Sequence, residues 1–204
     1  MNPSPSPTRL LKALRLIADA LDGRQHPWAL VGGLAVSVRC EPRFTRDIDV
    51  AVAVGGDDAA EELIASLMSR GFRLVLSLEH EALGRLAAVR VSPPGEADEG
   101  IVIDLLFASS GIEHDICVEA ERLELAPEAT VPVAQPGHLV ATKLLALALD
   151  RPQDAVDLQA LRQGLTPAER ERARQAVIKI DRIGASRGKD LTADFERWLQ
   201  AGAR

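Results

Sequence analysis

Leu10, Leu14, Ile17 and Leu21 recur at three- and four-residue intervals. That stripe predicts a helix over 8–22, capped by Thr8 and ended by Gly23. Residues 28–31 read as a short apolar strand, Gly32-Gly33 as a turn, and 34–39 as a short helix. Residues 48–54 are apolar and β-branched enough for a central strand. Gly55-Gly56 breaks it, Asp57 caps an alanine-rich helix over 57–70, and Gly71 closes that helix. Three more strands follow over 72–78, 86–91 and 101–107, the last two joined by a polar loop over 92–100.

The pattern changes after Ser110. Residues 112–122 are ambiguous, with helix favoured, and 131–136 form a short extended stretch ended by proline. Helices then dominate. One spans 137–149, apolar around Lys143, and another spans 152–161 with Pro152 in its first turn. Thr166-Pro167-Ala168-Glu169 is a capping box that opens a helix to about residue 183, and a last helix covers 192–201. The expected class is α+β: a small mixed sheet flanked by helices, followed by a helical C-terminal part. The expected division is an α/β core over 8–110 and a mainly helical region over 111–204.

Apolar residues make up 47% of the 204, ample for a core, but aromatics only 3%, so Leu, Val, Ile and Ala must build it. The net charge of −6 argues against a protein that coats nucleic acid non-specifically and leaves room for a local basic patch. Cys40 and Cys117 are too few for a disulfide framework. The N-terminal segment has no signal-like apolar core, and no apolar run approaches the roughly 18 residues of a membrane span. A cytoplasmic protein with reduced thiols and no membrane partner is expected.

Charge is out of place at two points. Asp47 and Asp49 sit at i and i+2 in a strand, so both face one side while Ile48 faces the other. Neighbouring carboxylates repel unless a cation lies between them, and oxygen ligands on a rigid strand suit Mg²⁺ or Mn²⁺. Asp104, one charge inside an apolar run, is the candidate third ligand; a turn or ion pair is its alternative. Gly32-Gly33, after a strand and before a helix, lets backbone N–H groups approach a phosphate. Lys143 either snorkels out of its apolar helix or reaches an anion such as a triphosphate. Asp154 and Asp157 share a face of the next helix, and either could hold Lys143. Arg43 and Arg46 either grip phosphate or balance the aspartates, and Thr45 could offer a hydroxyl.

The stretch ALVGGLAVSVRCEPRFTRDIDVAV resembles the signature of the polymerase-β-type nucleotidyltransferases. Its R-x-T-x-D-I-D ending is most similar to the AbiEii/AbiGii toxin nucleotidyltransferases. QPGHLVATKLLALALDRPQDAVDL resembles their second signature, with His138 and Gln153 departing from it. The resemblance implies a small nucleotidyltransferase sheet and a nucleoside triphosphate (NTP) as substrate. Asp47, Asp49 and Asp104 would hold Mg²⁺ or Mn²⁺. Gly32, Gly33, Arg43, Thr45 and Lys143 would bind nucleotide, with Asp154 as a further catalytic residue. It also implies transfer of a nucleoside monophosphate to an acceptor hydroxyl with release of pyrophosphate. Transfer RNA as acceptor and a cognate antitoxin as partner belong to the same implication. The alternatives are a small-molecule, aminoglycoside-like transferase and a degenerate nucleotide-binding module.

Overall fold

Val50 and Ala51 pair with a strand on each side, and Val50, Ala51 and Val52 are buried in the core that helices complete. In the computed structural model, residues 7–24, 26–40, 45, 47–80, 85–96, 100–127, 129–148 and 151–201 are described. The chain runs α1 (Pro7–Asp22), β1 (Trp28–Val31), α2 (Gly32–Arg39), β2 (Asp47–Val52), α3 (Asp57–Ser69), β3 (Arg73–His80), β4 (Arg85–Ser92) and β5 (Val102–Leu106). It continues through α4 (Glu113–Val118), β6 (Glu121–Ala126), β7 (Ala129–Val133), α5 (Pro136–Ala146), α6 (Pro152–Gln163), α7 (Pro167–Arg182) and α8 (Leu191–Ala201).

The strands form one mixed sheet in the order β3-β4-β5-β2-β1-β7-β6. β2 pairs antiparallel with β1 and parallel with β5, and β7 lies parallel to β1. This is the α+β class expected, with helices flanking a mixed sheet. β6 departs from the helix favoured over 112–122. The helix is only α4, and Glu121, Leu123 and Ala126 then pair with Val133, Val131 and Ala129 of β7. Its partner is sequence-adjacent, and the alternation of Leu123 and Leu125 with Arg122 and Glu124 lies mostly beyond the span read as helix.

Two capping expectations resolve differently. Thr166 caps α7, its Oγ1 accepting from the Glu169 N–H at 3.2 Å. The Glu169 side chain does not return to the cap; it accepts at 2.7 Å from the Gly137 N–H at the start of α5. Asp57 opens α3 but does not cap it: Gly56 holds the N-cap position, and the Asp57 carboxylate accepts from the Leu86 N–H of β4. The core joins both halves of the chain. Ile48, Ile103 and Leu105 on the sheet and Leu139, Val140, Val177 and Ile180 on the helices belong to one buried cluster. No helix among the described residues is long and apolar enough to cross a membrane.

Candidate active site

The register of the sheet brings the acids together. Asp49 lies directly opposite Asp104 across the β2–β5 pair, and Asp47 lies opposite Val102. On its other side Asp49 faces Val31, the last residue of β1. The next residue, Gly32, starts α2 with φ +65°, in the left-handed region glycine favours. A Cβ there would run into the Asp49 carboxylate and lie 2.7 Å from its Cβ. Glycine at 32 is therefore demanded twice, by the backbone and by the aspartate beside it.

Burial raises the Asp49 carboxyl pKa to about 6, with Asp104 and Asp47 adding to the rise and Lys143 and Arg151 opposing it. Asp104 is committed: Arg90 Nε and Nη2 each donate to one of its oxygens at 2.7 Å. A fork-to-fork pair of this kind fixes the carboxylate's orientation. Among the described residues no group of three His, Cys, Asp or Glu side chains is arranged as a ready metal-ligand set. The oxygens of Asp47 and Asp49 on one strand face are donors of the kind a hard divalent cation takes.

Lys143 does not snorkel. It is buried, and its ammonium lies 2.7 Å from Asp154 and 2.8 Å from Asp157. Arg151 Nε approaches Asp154 from outside at 3.1 Å. Both aspartates therefore touch the lysine, but Asp154 lines the cleft and Asp157 lies behind it. Gly32, Gly33, Thr45, Asp47, Asp49, Asp104, Lys143 and Asp154 line one cleft of about 710 Å³. Thr45 Oγ1 donates to the Asp47 carbonyl at 3.3 Å. Arg43 and Arg46 lie outside the described residues.

Several cleft residues carried no assignment from sequence. Arg90 is a charge inside the apolar run 86–91 of β4, and that placement was its signal. Glu113 is buried at the start of α4, accepting from the Ser110 N–H at 2.6 Å and the Ser110 hydroxyl at 2.8 Å. Arg187, with φ 56°, donates to Ser109 from the C-terminal region. No local pattern ties these to the aspartates. His138 points elsewhere, into a second cleft with Arg172 and Lys179, and burial lowers its pKa.

The fold is that of the nucleotidyltransferases. Among solved structures, the antibiotic-resistance factor ANT(2″)-Ia superposes with a TM-score of 0.56 at 18% identity, covering 96% of each chain. An antigenic nucleotidyltransferase-like protein from Paracoccidioides brasiliensis gives 0.53 at 18% identity, over 90% of this chain and 94% of that one. MenT4, a nucleotidyltransferase toxin from Mycobacterium tuberculosis, gives 0.50 at 19% identity, over 85% of this chain and 62% of that one. At these identities the likeness is one of fold. No curated protein matches the chain by sequence. The family model for the nucleotidyl transferase AbiEii toxin of Type IV toxin–antitoxin systems matches residues 15–201, and the chain belongs to that family.

Proposed function

We propose that this nucleotidyltransferase is Mg²⁺- or Mn²⁺-dependent and moves a nucleoside monophosphate from an NTP to a hydroxyl on RNA. Asp47 and Asp49 are the residues that would hold the cation, with Asp104 as a third carboxylate once one Arg90 hydrogen bond is given up. When bound, the cation supplies charge neutralisation at the phosphates and between the carboxylates. The chain's own groups do the positioning. Gly32 and Gly33 bring backbone N–H groups against the phosphates at the start of α2. Lys143, braced by Asp154 and Asp157, faces them from α5, and Thr45 lines the same cleft; Arg43 is a further phosphate contact on the family resemblance alone.

The observation that carries this reading is the Asp49–Asp104 register pair with Gly32 packed on Asp49 and the Lys143–Asp154 pair in the same cleft. Calorimetry with the non-hydrolysable analogue AMPCPP tests it. Binding should require Mg²⁺ and disappear in Asp47→Asn/Asp49→Asn; metal-independent binding of equal strength in both proteins would refute it. The toxin role follows from the family: expression should arrest growth, a cognate antitoxin should relieve the arrest, and Asp49→Asn should be harmless.

A further inference from the structure

The cleft of about 710 Å³ extends past the aspartates, and its lining changes from charged to apolar. One registered row crosses the sheet from Asp49 to Asp104, then Arg90, then Leu76. The next runs from Ala51 to Leu106, Ala88 and Leu78. Leu76, Leu78 and Leu106 therefore extend the face that carries the aspartates, and all three line the cleft. Leu76 is 48% and Leu78 54% exposed, on an edge strand. Half-exposed neighbouring leucines beside an acidic site are a surface waiting for an apolar ligand.

On the other side of the cleft Lys143 and Arg151 act on Asp49, while Arg187 is held at Ser109 just past β5. In register with the leucines the cation is Arg90, and two of its nitrogens are spent on Asp104. A triphosphate has few donors there. A polycation fares no better: Asp104 is paired with Arg90, the Asp47–Asp49 pair is assigned to the divalent cation above, and the walls beyond them are apolar. Transfer is in line. The acceptor oxygen bonds to the α-phosphorus, the bond to the bridging oxygen breaks, pyrophosphate leaves, and the hydroxyl proton passes to solvent. With pyrophosphate at the Gly32–Lys143 end, the attacking hydroxyl must enter from the opposite end.

We propose that the leucine end is the acceptor subsite, with Leu76, Leu78 and Leu106 as specificity residues, and that it takes a hydroxyl borne on an uncharged ring system with an apolar face, not on a polycation. The inference rests on the nucleotidyl-transfer reading above and deepens it. A free nucleoside and the terminal nucleoside of an oligonucleotide share this chemistry.

The test is methyl NMR of leucine-labelled protein with Mg²⁺ and saturating AMPCPP, adding adenosine, hexaadenylate or kanamycin. Adenosine, hexaadenylate or both should shift the Leu76 and Leu78 methyls, and kanamycin should not; the stronger of the first two tells free nucleoside from RNA end. Leu78→Glu should weaken that binding at least tenfold while the AMPCPP Kd moves less than twofold. Shifts of these methyls by AMPCPP alone would assign the wall to the nucleobase and overturn the proposal, as would shifts with kanamycin or with none of the three. Failure of AMPCPP to bind anywhere would instead sink the underlying nucleotidyltransferase reading.

Discussion

Asp49 sits at a cost to the fold. A carboxyl whose pKa is raised on folding holds its proton more tightly folded than unfolded. The penalty is therefore absent below about pH 4, grows between 3.8 and 6, and is complete above that. A shift of this size corresponds to ~3 kcal/mol at most. Asp49→Asn should accordingly raise the melting temperature at pH 7.5 in EDTA, and the gain should vanish near pH 4. A thermal melt series across pH checks the sign, and destabilisation at pH 7.5 would contradict it. Gly32 makes the opposite prediction. Gly32→Ala meets both the left-handed backbone, at ~1–2 kcal/mol, and the Asp49 carboxylate. Activity should fall at least a hundredfold, with a lower melting temperature; a variant with wild-type kcat/KM would refute the packing argument. The D-x-D and the glycine pair were legible because strand alternation and glycine chemistry are local. Arg90 was not, because its partner Asp104 is a cross-strand neighbour that no single segment shows.

At the scale of elements, α5 is the part on which the site depends. It is buried on nearly every side and packs against α2, α6, α7 and α8. That explains a lysine in so apolar a helix: Asp154 and Asp157 on α6 meet it inside the protein. Removing one member of a buried ionic group leaves the others uncompensated, at about 3–5 kcal/mol. Lys143→Met should cost that much in urea unfolding, and a loss below about 1 kcal/mol would mean that the ammonium is solvated. Gly137 shows how tightly α5 meets α7. A Cβ there would lie 2.5 Å from the Glu169 carbonyl oxygen and 2.9 Å from the Ala173 nitrogen. Gly137→Ala should destabilise by roughly 1–3 kcal/mol, measured by the same unfolding curve, although alanine favours helices. Helix spans were legible from periodicity and caps. The α5–α7 contact was not, since Glu169 reads as a capping-box residue and instead bonds the Gly137 N–H.

For the whole molecule, the sheet supplies the paired aspartates with Arg90, and the helical region supplies the remaining cations with Asp154. Asp47, Asp49 and Asp104 come from β2 and β5, and Lys143, Arg151 and Arg187 come from segments beyond residue 136, all lining one cleft. The family match over residues 15–201 spans both. The two motifs were readable separately, and their resemblance to one family joined them before any geometry did. The long apolar end of the cleft was not readable, because Leu76, Leu78 and Leu106 look like ordinary strand residues until register aligns them with Asp104. On the proposed reading the acidic face transfers the nucleoside monophosphate and not a terminal phosphate. The direct measurement is parallel incubation of the protein, Mg²⁺ and total RNA with each NTP labelled at the α- or the γ-phosphate. The α-label should pass to RNA and the γ-label should leave as pyrophosphate, with both events lost in Asp49→Asn. Transfer of the γ-label to the acceptor, or undiminished α-label transfer by Asp49→Asn, would contradict the account.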